Sequence, residues 1–151
     1  MELVKRKSPR IPHFDYSSTN YYFVTICTHN KECIFYSSGQ VNDWGKIAEQ
    51  CLMDIPNHFI GLQLDKWVVM PNHIHGIMII GQDCRHSLST IVGLYKSSVS
   101  KRIRLIQPDI QVWQRSFHDH IIRNQASYEK IWNYIDHNPE KWFEDCFCPL
   151  T

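Results

Sequence analysis

The chain has 151 residues, 43% of them hydrophobic, and a net charge of +1, which is enough for one sizeable core and too short for two ordinary domains. A near-neutral total excludes a uniformly basic surface, yet Lys5, Arg6, Lys7 and Arg10 crowd the start, and Lys96, Lys101, Arg102 and Arg104 lie close together. The six cysteines form no C-x-x-C pair and no run approaches the roughly 18 apolar residues of a membrane span, so a soluble, cytoplasmic protein without a zinc ribbon or disulfide framework is expected.

Residues 1–20 are basic, then rich in Pro, Ser and Asp without a sustained period, and read as an arm over a single domain at 21–151. Residues 21–28 (YYFVTICT) are aromatic and β-branched throughout, as suits a central strand covered on both faces. Trp44, Ile47, Ala48, Cys51, Leu52 and Ile55 recur at helical spacing, with Asn42 or Asp43 to start the helix and Pro56 to stop it.

Residues 68–80 (VVMPNHIHGIMII) place His73 and His75 on one face of a strand, roughly 7 Å apart, close enough to share one metal ion. Pro71-Asn72 suits a tight turn, which pairs residues 66–70 with 73–80 as a hairpin. Two histidines at a sheet rim can equally be polar edge residues, and other residues must decide. Leu88, Ile91, Val92, Tyr95, Val99 and Ile103 form a second helical stripe, capped by Ser87 or Ser89, with the cations mostly off the apolar face. Those cations either track a nucleic-acid backbone or form a solvated helix face. Residues 112–122 (VWQRSFHDHII) read as a strand or extended segment, in which His118 and His120 are a competing metal pair beside Asp119, Arg115 and Arg123. Trp113 and Phe117 either stack on bases or fill the core.

A third stripe, Tyr128, Ile131, Trp132 and Ile135, predicts a helix ending near Asn138, before Pro139. At about 100° per residue, Tyr134 falls about 110° from the centre of that stripe, and Asn138 lies one turn further on its side. A flank tyrosine can be a packing residue with its hydroxyl in water. Two imidazoles and an amide oxygen would nevertheless leave positions on a divalent ion for phosphate oxygens. The element order, strand, helix, two strands, helix, strand, helix, points to an α+β fold with an antiparallel sheet.

RKSPRIPHFDY followed by YYFVTICT, then WVVMPNHIHGI, HIIRN and NYIDHNPEKWFED, give the chain a nearly full-length resemblance to a known family. It resembles the HUH single-tyrosine transposases of the IS200-like superfamily, most closely the REP-associated tyrosine transposase group. The resemblance implies a ferredoxin-like sheet with helices on one side. It implies His73, His75 and Asn138 as ligands of Mg²⁺ or Mn²⁺, the last where distant relatives use glutamine, and Tyr134 as nucleophile. It places His120 and Arg123 beside the site. The implied activity is cleavage and strand transfer on single-stranded or hairpin DNA through a 5′-phosphotyrosine, by a monomer or homodimer. Two alternatives remain: a catalytically inactive nucleic-acid-binding domain of the same fold, and a metal hydrolase using His73, His75 and an acidic residue.

Overall fold

A computed structural model describes residues 19–144, with the backbone alone at 143 and 144, so Lys5, Arg6, Lys7, Arg10, Cys146 and Cys148 lie outside the described residues. Strand β1 (Asn20–Cys27) sits between β5 (His73–Ile80) and β6 (His118–Ile122), and β4 (Leu62–Val69) lies outside β5. All three pairings are antiparallel. Helix α1 (Asp43–Asp54) connects β1 to β4, α2 (Leu88–Arg104) connects β5 to β6, and α3 (Gln125–His137) follows β6. The βαββαβ order with β1 inside is the ferredoxin-like arrangement expected.

The helices begin where a side chain can satisfy their first amides. Asn42 and Asn124 accept from Gly45 N–H and Ser127 N–H at 2.9 and 2.8 Å, and Ser87 accepts from Thr90 N–H at 3.2 Å. Helix α1 passes into a 3₁₀ turn containing Pro56, and α3 closes at Asn138, before Pro139.

Pleating divides the sheet into two apolar faces. Val24, Ile26, Ile74 and Met78 pack on one face with Ala48 and Leu52 of α1 and with Ile91, Tyr95 and Val99 of α2. Tyr21, Ile77 and Ile122 pack on the other with Tyr128 and Ile135 of α3. The helices therefore do not all lie on one side, as the family resemblance implied. Because β1 and β5 are apolar at both odd and even positions, one helical layer leaves a hydrophobic face uncovered, and α3 covers it.

Strand β4 is longer than the hairpin read from the sequence, and its register with β5 shifts between Leu64 and Trp67. An extra residue puts two neighbours, Asp65 and Lys66, on the α3 side of the sheet. The Tyr128 hydroxyl donates to Asp65 Oδ2, and Lys66 Nζ lies 2.7 Å from Asp136 and 4.2 Å from the centre of the Trp132 ring. Burial, and then the bond to Asp65, push the Tyr128 phenol far above its ordinary pKa.

Residues 112–122 pair only in part: Trp113 makes an isolated bridge to Thr28, and continuous pairing begins at His118. Trp113 takes the core role, packed against Phe35 and Tyr95 with its indole N–H donating to the Lys96 carbonyl at 3.0 Å. Phe117 packs at the margin of the same core. A short hairpin, β2 (Tyr36–Ser37) and β3 (Gln40–Val41), was not foreseen. Its turn residues Ser38 and Gly39 both have positive φ, at 53° and 78°, the geometry of a two-residue hairpin loop.

Tyr128→Phe is expected to lower stability by about 1–2 kcal/mol, since it deletes a donor to a carboxylate while Asp65 keeps access to water. The denaturant midpoint measures this, and a shift indistinguishable from zero would mean that Asp65 does not fasten α3.

Candidate functional site

His73 opens β5, directly after a turn that the rest of the chain holds tightly. Met70 N–H donates to the His73 carbonyl at 2.8 Å, and Thr28 N–H donates to the Asn72 carbonyl at 3.0 Å. Phe35 N–H reaches the Pro71 carbonyl at 3.2 Å. Beyond the turn, the pleat puts His73 and His75 on the α3 side, opposite Cys27 and Thr25 of β1. Both imidazoles are fully buried, with ring centres 4.6 Å apart.

Each ring is held by its Nδ1. Asn72 Nδ2 donates to the Lys31 carbonyl at 3.1 Å, which turns Asn72 Oδ1 toward His73 Nδ1 at 2.7 Å. An acceptor there requires Nδ1 to carry the proton, leaving the lone pair on Nε2. Thr25 Oγ1 lies 2.9 Å from His75 Nδ1 and can accept in the same way. The two Nε2 atoms are buried and make no hydrogen bond, as is Oδ1 of Asn138, the residue capping α3.

Helix α3 brings Tyr134 over this pair. Its ring centre lies 5.3 Å from that of His75 and 6.1 Å from that of Phe23, and 41% of the residue remains exposed. Four residues on, Asn138 is buried, and four further, the Trp142 ring stacks on His73 at 6.3 Å. Tyr134, Asn138 and Trp142 thus follow one another along the side of the chain that meets the two histidines.

Among the described residues no three His, Cys, Asp or Glu side chains gather at metal-binding distance. The donors that fit a divalent cation are the two Nε2 atoms and the Asn138 amide oxygen.

The other sequence candidates stand apart from this centre. His118 and His120 are exposed on β6, facing Thr25 and Phe23 across the pairing. With strands about 4.8 Å apart, His118 lies two strands from His75, with Thr25 between them. Arg123 is exposed just past β6. On α2, beyond the opposite face of the sheet, Lys96 Nζ donates to the Gln114 and Ser116 carbonyls at 2.9 and 2.7 Å, and burial lowers its pKa. Arg102 donates to Gln50 Oε1 at 2.8 Å and Arg104 to the Ile110 carbonyl at 3.0 Å, whereas Lys101 is exposed.

Residues 16–138 match the family model described as transposase IS200-like. The chain belongs to the IS200-like transposase family. An uncharacterized protein of Haemophilus influenzae is 35% identical over 93% of this chain and 91% of its own length. Two solved structures share the fold. One is a REP-associated tyrosine transposase bound to a REP hairpin, with a TM-score of 0.61 and 20% identity over 89% of this chain and 73% of that one. The other is a candidate transposase of Deinococcus radiodurans R1, with a TM-score of 0.58 and 18% identity over 85% of this chain and 95% of that one. Among the described residues, no helix is long and apolar enough to cross a membrane.

Thr25, Asn72, Phe23 and Trp142 were not singled out from the sequence. Asn72 adjoins His73 in the turn, and Thr25 carries the one aliphatic hydroxyl of β1, but their roles follow only from the register. Thr25→Val keeps the side-chain volume and strands the buried Nδ1 of His75, so a loss of about 1–3 kcal/mol is expected, with Thr25→Ser restoring most of it. Equal unfolding midpoints for all three proteins would remove Thr25 as the anchor.

Proposed function

We propose that this transposase cleaves and rejoins single-stranded or hairpin DNA through a covalent 5′-phosphotyrosine on Tyr134, using a divalent metal held by His73, His75 and Asn138. The supporting observation is convergence: a half-exposed tyrosine stands over two buried imidazoles whose Nδ1 atoms are tied back, so that both present Nε2. The solved relative carrying a REP hairpin supports structured DNA as the substrate class.

His73 and His75 supply neutral nitrogen donors and Asn138 a hard oxygen, a set that leaves further positions open to phosphate oxygens. Bound there, Mg²⁺ or Mn²⁺ would supply Lewis-acid polarisation of a phosphate oxygen. Phe23 and His75 fix the tyrosine ring on its inner side, while the exposed remainder leaves Oη open to DNA. Tyr134 Oη attacks phosphorus, its proton passes to water, and the bond from phosphorus to the 3′ oxygen breaks. That oxygen takes up a proton and leaves as a 3′-hydroxyl. One phosphodiester bond has been exchanged for another, so a 3′-hydroxyl can later reverse the step without nucleotide hydrolysis. This favours strand transfer over hydrolysis. Lys101, Arg123 and the N-terminal Lys5, Arg6, Lys7 and Arg10 supply cations for the DNA backbone, and His120, exposed on β6, a further polar contact.

The central test incubates the protein with a single-stranded oligonucleotide and divalent metal, traps the covalent adduct and maps its residue. Tyr134→Phe removes one oxygen from a flank position, so folding and metal binding should survive while cleavage and adduct fall to background. Cleavage that persists in Tyr134→Phe without an adduct would make a metal-activated water the nucleophile and favour a hydrolase.

A separate measurement concerns the metal. Calorimetric titration with Mn²⁺ should show a single site in the wild type and at least about tenfold weaker binding in His73→Ala. Unchanged binding would move the site, with His118 and His120 the first alternative.

A further inference from the structure

A cavity of about 430 Å³ lies at the turn that leads into His73. Tyr36 and the β2–β3 turn form one wall, Met70 and Pro71 of the turn before β5 the floor, and Pro139 and Trp142 the opposite wall. The Trp142 ring that lines it is the one stacked on His73, at an interplanar angle of 22°. The cavity and the candidate metal centre therefore share a partition one indole thick. Its walls are fixed before anything binds: the Tyr36 hydroxyl donates to the Val69 carbonyl at 2.9 Å, and Phe35 N–H holds the Pro71 carbonyl.

We infer that this cavity receives one nucleobase of the DNA strand, from a nucleotide adjoining the phosphate held at the histidine pair. The inference rests on the DNA-cleaving function proposed above and adds a place where the protein itself grips a base. Four features point to a base rather than another ligand. The cavity has aromatic rings at both ends and an apolar floor, as a stacked base requires. Its size is that of a small-molecule pocket. No charged side chain among the described residues lines it, so it does not suit a phosphate, whereas the Ser38 hydroxyl and the Gly39 backbone, which also line it, can meet the polar edge of a base. It also shares the Trp142 ring with His73 of the proposed centre, so a nucleotide turned out of its stack there would have a pocket at hand.

The site makes this transposase sensitive to the identity or presence of one base near the cleavage point, independently of any base pairing within the DNA. Stacking on an aromatic side chain is worth enough that its loss weakens binding roughly 5- to 150-fold.

The experiment measures binding rather than cleavage. In a Tyr134→Phe background with Mn²⁺, a set of single-stranded oligonucleotides carrying one abasic position each is titrated against the protein and against its Trp142→Ala, Trp142→Phe and Trp142→Leu variants. One abasic position, within two nucleotides of the mapped cleavage site, is expected to weaken binding by at least fivefold. Trp142→Ala and Trp142→Leu should bind the intact strand with the same deficit and lose sensitivity at that position, whereas Trp142→Phe should retain it. Such non-additivity is the mark of two groups in contact. Circular dichroism confirms that each variant is folded, and Trp142→Phe keeps the test decisive if Trp142→Ala unfolds. Tight single-strand binding with no abasic position depending on Trp142 would overturn the base site and leave the DNA function standing. Absence of single-strand binding in every protein would overturn both. A change of oligomeric state in Trp142→Ala with DNA binding untouched would overturn the base site in favour of a contact between copies.

Discussion

The site depends on the two-residue alternation of β5 and its register against β1. Ile74 and Met78 face the core beneath α1 and α2, so His73 and His75 must face the other way, toward α3. A slip of one residue would drive both imidazoles into an apolar core and turn Ile74 and Met78 out of it. Burial of Val24, Ile26, Ile74 and Met78 makes that exchange prohibitive, since each such side chain is worth about 1.5–3 kcal/mol. The same register sets Thr25 opposite His75 and so provides the hydrogen bond that fixes the ring. Packing on one face thereby determines chemistry on the other.

The second requirement is that α3 be held against that face with its C-terminal turn over the histidines. Its apolar stripe alone would allow the helix to slide along the sheet. The irregularity in β4 limits this by pointing Asp65 and Lys66 toward α3, where they meet Tyr128 and Asp136. The two contacts differ in weight. Lys66–Asp136 is a partly exposed ion pair worth about 0–1 kcal/mol, while the buried Tyr128 hydroxyl bonds directly to a carboxylate. Tyr128 is thus the stronger fastening, and it lies nearly two turns from Tyr134, far enough along the helix to fix the position of the ring without touching it.

Periodicity carried most of the fold. The three helices, the caps of the first two, the central strand and the hairpin through Pro71-Asn72 were legible because each has a repeat of about 3.6 residues, a run of aromatic and β-branched residues, or a cap or turn residue with a strong preference, whereas the Asn124 cap of α3 was not read. The side of the sheet that α3 covers was harder, because an amphipathic helix shows that it packs without showing on which face. The Ser38-Gly39 hairpin carried its own signal, a pair that tolerates positive φ, but strands of two residues are too short for periodicity to mark. At the site, the H-x-H spacing and the flank position of Tyr134 were local and therefore readable. The Nδ1 partners of the histidines were not, since Thr25 lies 50 residues from His75 and only pairing brings them together. The cations of α2 show the same limit. Their clustering is plain in the sequence, whereas the carbonyls that engage Lys96 and Arg104 belong to an irregular segment with no pattern to read.

The end of α3 bears on the cation proposed for this centre. The last carbonyls of a helix carry a partial negative charge, roughly half a unit, that is felt mainly within the final turn. Here the final turn carries Tyr134 against the His75 ring and ends at the buried Asn138; the Asn138 and Lys141 N–H groups donate to the Ile135 and Asn138 carbonyls, and His137 Nδ1 lies 2.8 Å from the Asn133 carbonyl. Imidazoles that present Nε2 lone pairs offer no positive charge, so neither they nor the helix end would attract a phosphodiester approaching Tyr134. The proposed cation would be held by those lone pairs, favoured by the helix terminus by about 0.3–1 kcal/mol, and attractive to phosphate. The identity of residue 138 has a bearing on the outcome. A carboxylate would hold the cation more tightly but would cancel part of its charge, leaving less for the phosphate. An amide oxygen ligates without neutralising, so Asn138 would suit the proposed centre, in which the metal must be bound and still act on the DNA.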